Sequence, residues 1–462
     1  MKKTLSIVLS IISLLGMFAI PVSADDPAVS EYYSDVFLSD SYYDASMYLF
    51  QQNIMRGMSP GYFSPNTNTT RAQIITMLWR MANCPEPDGQ VMSFTDCAPS
   101  AFYYKAVQWA CSQNVAITNG TSNTTFSPNQ AAKQQDTLVF LYRFMCYCGY
   151  ISDDPVYITL FSNSTLTNKA SFSGYAKRAV GWAYSEGIFT DIALSGTEYC
   201  ERKNIAEYLY NTYQNYQQKY GLVVVCTHNM SYAQRACDAM NALFTHYTPN
   251  TLAYSDISKS QFETVMANAF SQAKALDICY LYCLSHGNTS GLALFTDPSS
   301  NRFLSPAFLR NQIDGYSGTF VVFVAGCNTG TYISRKSPQN EDDDTPFDAD
   351  AFIDDLVYDR VESGELGGVN RIKVLCSSEK DETSYSTMSL ATKYWLLGSG
   401  YNHLNYTFID PEADINPYGN DDEKVSLCEL FDYSYDKVVT LMPVQHIACS
   451  DPDDLFVIFV DN

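Results

Sequence analysis

The chain has 462 residues, of which 46% are apolar, enough to bury one or more large cores and to exclude global disorder. Charged residues make up only 17%, and 28 basic against 50 acidic side chains leave a net charge of −22. That balance excludes a nucleic-acid binder working through a broad basic surface, and it makes an anionic membrane a poor partner.

In chain order the first feature is an address. Lys2 and Lys3 precede an apolar run from Leu5 to Ile20, and Val22-Ser23-Ala24 supplies small residues for cleavage. This is the layout of a secretory signal peptide, so residues 1–24 are expected to be removed and the mature chain to be secreted. From residue 25 onward no apolar run is long enough to span a bilayer. The 14 cysteines are scattered, several inside apolar runs such as Leu222 to Cys226, which reads as buried small hydrophobes. Cys146-x-Cys148 has no matching pair and the five histidines lie far apart, so no metal site is expected.

The front half repeats itself. Tyr42-Tyr43-Asp44-Ala45 leads through Ile54 and Gly57 to Phe63-Ser64-Pro65, then Thr70-Arg71-Ala72-Gln73 and Leu78-Trp79-Arg80. The pattern returns as Tyr104-Lys105-Ala106, Trp109-Ala110, Gly120, Phe126-Ser127-Pro128, Ala132-Lys133-Gln134 and Leu141-Tyr142-Arg143. A worn third copy holds Tyr175-Ala176, Trp182-Ala183, Gly187 and Glu201-Arg202-Lys203. Aligning Arg71, Lys133 and Arg202 gives spacings of 62 and 69 residues. Each unit reads as helix, Phe-x-Pro turn and helix, placed at 25–85, 86–150 and 151–217, and three units must pack together to bury a core.

These marks, Tyr-Tyr-Asp-Ala, the Phe-x-Pro turn and Thr-Arg-Ala-Gln above all, resemble the S-layer homology repeat over about residues 33–215. The resemblance implies an all-α bundle that anchors the protein non-covalently to secondary cell-wall polysaccharide of a Gram-positive-type bacterium. It makes Arg71 and Lys133 candidate polymer-binding residues, with Arg202 in the degenerate copy. A guanidinium presents a planar fork suited to the carboxylate of an acidic sugar; local capping or pairing is the structural alternative.

From 218 to 462 the pattern changes. Buried strands are expected at Leu222–Cys226, Asp277–Leu284, Thr319–Ala325 and Ile372–Cys376, alternating with helices over Tyr232–Phe244, Phe262–Ala275 and Phe308–Ile313. Apolar strands alternating with helices predict an α/β domain with a mostly parallel sheet flanked by helices, whose working residues lie at the carboxyl ends of the strands. His286 and Cys327, 41 residues apart, each follow directly on such a strand. A thiol needs an imidazole to handle its proton and that of a leaving amine, and two strand ends can hold both. Gly287 and the turn Gly326 to Gly330 leave backbone amides for an oxyanion. On position alone a structural thiol and a strand-ending His-Gly remain equally open.

The flanking residues narrow the choice. Leu281-Tyr282-x-x-Ser285-His286-Gly287, then Val321 to Ala325 before Gly326-Cys327-x-x-Gly330, resembles the caspase-type cysteine peptidases, including bacterial metacaspase-like enzymes and legumain. The likeness covers about residues 220–462; Leu284 and Gly326 depart from the usual residues before the histidine and the cysteine. It implies a caspase-like sheet with Cys327 as nucleophile, His286 protonating the leaving amine, and the Gly287 and Cys327 amides holding the oxyanion. It also implies a specificity pocket from Asn229–Asp238 and Ser378–Ser386. There Arg235 would favour Asp or Asn, whereas Glu379, Asp381 and Glu382 would favour Arg or Lys, with Ser378 and Ser384 as further contacts; ordinary solvated charges are the alternative reading of each, and substrate preference stays open. The acidic stretch at 341–355 reads as a solvated loop, with self-cleavage near Arg335 or Lys336 and calcium binding as alternatives; that at 410–423 lacks the twelve-residue calcium-loop spacing, so calcium stays open and no cofactor is required. The expected partners are a protein or peptide substrate and cell-wall polysaccharide. The reading is a cell-wall-anchored cysteine endopeptidase, with an inactive caspase-like binding module or a structural S-layer-associated protein as alternatives.

Overall fold

A computed structural model describes residues 30, 32–87, 94–112, 114, 116–288, 291–294, 296–297, 302–327, 371–378, 389–451 and 454–460, the side chains of Asn288 and Cys327 excepted. The signal segment 1–24 and the acidic stretch 341–355 lie outside the described residues.

The front half is helical: α1 (Tyr43–Gln51), α2 (Arg71–Met81), α3 (Tyr104–Ala110), α4 (Gln134–Tyr147), α5 (Val156–Asn163), α6 (Lys177–Ser185) and α7 (Arg202–Tyr216). The start of α2 is fixed by a capping box, in which Thr70 accepts from Gln73 N while the Gln73 side chain takes Thr70 N. The helices share one core that includes Leu49, Phe63, Leu78, Trp109, Phe126, Leu141, Trp182 and Leu209. No single helix pair carries that much apolar surface, which is why the units pack as one body.

The back half is an α/β domain. Its elements are β1 (Lys219–Val225), α8 (Ala233–Tyr247), β2 (Thr251–Ser255), α9 (Lys259–Phe270), β3 (Ile278–Asn288), β4 (Gly291–Ala293), β5 (Phe303–Leu304), α10 (Pro306–Asp314), β6 (Thr319–Cys327) and β7 (Ile372–Cys376). After them come α11 (Leu390–Gly398), β8 (Tyr401–Asn402), β9 (Thr407–Phe408), β10 (Lys424–Ser426), α12 (Leu427–Leu441), β11 (Ala448–Cys449) and β12 (Val457–Val460). The main sheet runs β2-β1-β3-β6-β7-β11, its first five strands parallel and β11 antiparallel at the edge. Its central strands β3 and β6 are buried on both faces. Tyr280, Tyr282 and Leu284 pack in one layer with residues of α8, α11 and α12, while Cys279, Leu281 and Cys283 pack in the other with α9 and α10. This two-sided burial is why the strands read as unbroken apolar runs.

Bundle and sheet are docked at the amino ends of the strands. Tyr150 Oη donates to Asp277 Oδ1 at 2.9 Å and accepts from Leu276 N, while Asp277 also takes Gln218 N and Lys274 N. Asn83 Nδ2 reaches Ala275 O at 3.1 Å, and Gln217 Nε2 reaches Leu276 O at 2.7 Å. Asp277 is almost fully buried, and this burial, opposed by its hydrogen bonds, holds its pKa above the ordinary carboxylate value. Among the described residues no helix is long and apolar enough to cross a membrane.

Candidate functional site

The chain order of the parallel strands reverses between β1 and β3: from β1 it goes outward to β2, then returns to β3 and proceeds through β6 to β7. At such a switch point the loops leaving two adjacent strands part and open a crevice at their carboxyl ends. His286 lies there. Contrary to expectation, β3 does not stop before the histidine but continues through it to Asn288, because Gly287 and Asn288 pair with Leu292 and Gly291 of β4. The β3–β6 register puts Leu284 beside Ala325, Ser285 beside Gly326 and His286 beside Cys327. The two positions are thus direct neighbours on strands about 4.8 Å apart. The Cys327 side chain and residues 328–330 lie outside the described residues.

The imidazole is oriented by a group with no signature in the sequence. His286 Nε2 lies 3.1 Å from the carbonyl of His228, in the turn that follows β1. A carbonyl only accepts, so this bond puts the proton on Nε2 and leaves Nδ1 as the basic nitrogen of the neutral ring. Burial lowers the His286 pKa below 6.5; the bond to His228 O opposes that shift and the His228 ring adds to it. The side chain is half-buried, close to the edge but not sealed from it.

The two amides expected to hold an oxyanion have another role here. Thr319 N donates to Asp277 O, which sets the parity of the ladder. The odd residues of both strands therefore exchange the ladder's backbone bonds, and the pattern continues to the last rung at His286 and Cys327. The Gly287 and Cys327 amides belong to that rung, so an oxyanion can take them only when the rung opens. Among the pocket candidates, Arg235 is exposed on the first turn of α8, just after the end of β1. Ser378 is buried directly after β7. Glu379, Asp381, Glu382 and Ser384 lie outside the described residues. In the 410–423 stretch Asp414 turns inward and accepts from Asp422 N and Glu423 N, closing the acidic loop on itself. Among the described residues no group of three or more His, Cys, Asp or Glu is arranged to hold a metal ion.

The helical bundle has a geometry of its own. Thr69 N donates to Cys200 O, Cys200 N to Ala132 O and Ala132 N to Thr69 O, at 2.8, 2.9 and 2.9 Å. This closed ring of three backbone bonds ties one segment from each repeat to the next and defines a pseudo-threefold centre. A second set of three bonds runs around the same centre in the opposite sense, with Arg71 N on Gln130 O, Gln134 N on Glu198 O and Arg202 N on Thr67 O. The equivalent residues are therefore Arg71, Gln134 and Arg202, with Thr70, Lys133 and Glu201 at the N-caps of α2, α4 and α7. The alignment of Lys133 with Arg71 by charge is off by one residue.

Residues 32–75 match the family model of the S-layer homology domain. No curated protein matches the chain. S-layer homology domains typically bind cell-wall polysaccharide, and the match indicates a bacterial cell-surface or S-layer-associated protein.

Within the helical bundle, the two arginines are engaged inside the protein. Arg71 is 8% exposed; its Nε donates to Phe126 O at 3.0 Å, Nη2 to Thr118 Oγ1 at 3.3 Å, and its guanidinium stacks over the Phe126 ring. Arg202, 2% exposed, repeats the arrangement one repeat on, with Nε on Phe63 O and Nη2 on Arg56 O, both at 2.7 Å, and the Phe63 ring beneath it. Burial lowers both pKa values, that of Arg202 to about 10. The fork expected to grip an acidic sugar at Arg71 instead clamps the Phe-Ser-Pro turn of the neighbouring repeat. Lys133 is half-exposed at its N-cap.

Two residues that sequence reasoning missed serve the same turns. Asp35 accepts from Phe63 N and Ser64 N, both at 2.7 Å, and Asp96 accepts from Phe126 N and Ser127 N at 2.9 and 2.7 Å. Ser64 and Ser127 sit at φ of 61° and 59°, a conformation a non-glycine residue holds only when its neighbours fix it. Arg202→Ala is expected to destabilise the bundle by about 3 kcal/mol, since it leaves the buried Phe63 carbonyl and the Arg56 carbonyl without their charged donor. Thermal unfolding of the full chain checks this, with Arg202→Lys recovering only part because Lys lacks the planar fork.

Proposed function

We propose that the chain is a cell-surface cysteine endopeptidase of caspase type, held at the wall by its S-layer homology bundle. The observation that carries the reading is the registered pair His286 and Cys327 at the β1–β3 switch point, with the imidazole oriented by the His228 carbonyl. In this reading Cys327 gives its proton to His286 Nδ1, and the thiolate adds to the scissile carbonyl carbon. The oxyanion takes the Gly287 and Cys327 amides as the last β3–β6 rung parts. His286 then returns its proton to the amine nitrogen as the C–N bond breaks, leaving a thioester on Cys327 that water hydrolyses.

The test is labelling of the full mature chain with thiol-reactive peptidyl probes bearing Arg, Lys, Asn or Asp before the reactive group. Labelling that is lost in Cys327→Ala supports the peptidase, and the preferred side chain tells whether Arg235 or the acidic 379–382 segment forms the pocket. A caspase-like binding module is the second reading, favoured by the closed rung at Gly287 and Cys327. No labelling with any probe, with or without calcium and reductant, decides for it.

A pH dependence follows from the imidazole. Because the His286 pKa lies below 6.5 in the folded protein, the ring stays neutral through pH 7 and loses its basic lone pair only on further acidification. The acid limb of kcat/KM for peptide hydrolysis is therefore expected to have its midpoint below pH 6.5.

A further inference from the structure

The β6–β7 ladder has its own parity. Phe320 N donates to Arg371 O at 2.7 Å and Ser377 N donates to Val324 O at 2.9 Å, so the even residues of β6 turn their peptides toward β7. Continued by two residues, the ladder would join Gly326 N to the Ser377 carbonyl. At that rung the Ser377 hydroxyl takes the carbonyl's place: Gly326 N donates to Ser377 Oγ at 3.2 Å. The displaced Ser377 carbonyl accepts from Gln445 Nε2 at 2.8 Å. Ser377 is 1% exposed and Gln445 is fully buried, so the exchange satisfies each of these groups without water.

A side-chain rung differs from a backbone rung in what it permits. The hydroxyl sits on a rotatable bond, can accept and donate, and lies 3.5 Å from Gly326 O as well as 3.2 Å from Gly326 N. It can keep hold of the Gly326 peptide while the strand end shifts. The exchange falls on the residue immediately before Cys327, on the side of β6 opposite His286. When the β3-side rung opens to admit an oxyanion, the Ser377 contact is what still fixes the end of β6.

We propose that Ser377, braced by Gln445, is a positioning residue for the Cys327 nucleophile. Its hydroxyl fixes the Gly326–Cys327 peptide from the β7 side while the β3 side is free to open. This inference rests on the cysteine-peptidase reading of His286 and Cys327.

The test uses the full mature chain, with Ser377→Ala, Ser377→Thr and Gln445→Leu, each shown by circular dichroism and thermal unfolding to be folded at the assay temperature. Two quantities are measured. One is the rate and pH midpoint of Cys327 alkylation by iodoacetamide, read by mass spectrometry of its peptide; the other is kcat and KM on a peptide substrate. The expected result is alkylation at pH 7 slowed about 10- to 100-fold in Ser377→Ala, with a raised midpoint. A matching fall in kcat with KM within about twofold is expected, the same direction in Gln445→Leu, and recovery in Ser377→Thr, which keeps the hydroxyl. A folded Ser377→Ala whose alkylation rate and midpoint equal those of the wild type overturns the proposal, since a merely structural serine would lower the melting temperature and leave both unchanged. Loss of the peptidase reading is seen separately, as a wild-type chain that hydrolyses no peptide. The alkylation comparison still decides the role of Ser377 in that case.

Discussion

If the chain is the peptidase proposed above, replacing Cys327 by alanine is expected to remove peptide hydrolysis altogether, and replacing His286 by alanine to lower kcat by about 10²- to 10⁴-fold, the usual contribution of a positioned proton-transfer group. The two effects should not add. Without Cys327 there is no atom to attack the carbonyl, so further loss of His286 changes nothing measurable. With Cys327 alone, a small fraction of thiolate is still present near neutral pH, so His286→Ala should retain a residual rate that rises toward alkaline pH as the thiol ionises without help. The measurement is a pH–rate series on the three variants with one peptide substrate. A His286→Ala enzyme with an unchanged rate would dissociate the histidine from the chemistry, despite its place beside Cys327 in the register.

Breaking the ion pair between Lys373 and Asp454 is expected to have the largest effect on stability. Lys373 Nζ lies 2.5 Å from Asp454 Oδ2 and both side chains are 3% exposed. Lys373 belongs to β7 in the middle of the sheet's register, beside Val321 of β6. Asp454 lies just before β12, accepts from Phe456 N through Oδ1, and offers its backbone carbonyl to Cys428 N in α12. The pair therefore secures the carboxyl-terminal strand and the last helix to the sheet. Lys373→Met leaves a buried carboxylate without its cation, a loss of about 3–5 kcal/mol, whereas the double change Lys373→Met with Asp454→Leu should recover much of it. Denaturant unfolding of the two variants against wild type checks both the size of the loss and the recovery.

What could be read from the residues follows from which interactions leave a local trace. Strands buried on both faces do: Leu281 to Leu284 and Phe320 to Ala325 are continuous apolar runs, and β3 and β6 lie over them. The edge strand β2 does not, since its five residues are mostly half-exposed and carry no clear alternation. The positions of His286 and Cys327 at strand ends were legible, but the His228 carbonyl was not, because every residue carries a carbonyl and only the fold selects one. In the bundle, matching by charge paired Lys133 with Arg71, while the backbone rings pair Gln134 with it. The error has a physical source: side-chain charge is a weaker constraint on register than the closed ring of amides at Thr69, Ala132 and Cys200. Asp35 and Asp96 had a usable signal, an aromatic two residues before the aspartate in Tyr33-Ser34-Asp35 and Phe94-Thr95-Asp96, recurring 61 residues apart.

The docking of the bundle beneath the sheet gives β3 the character of a mast. Its foot, at Asp277, is moored to Tyr150 of the bundle. Nine residues along, His286 stands at the head, about 30 Å away at the usual rise of a strand. A bundle resting on the cell wall would then hold that edge of the sheet aloft, turned from the polymer beneath it toward whatever passes outside. Because the mooring runs through a set of hydrogen bonds and not a flexible linker, reach and heading would be set by the fold itself. Shortening or loosening the connection at Gln217 and Gln218 would alter where such an enzyme could cut before it altered how fast.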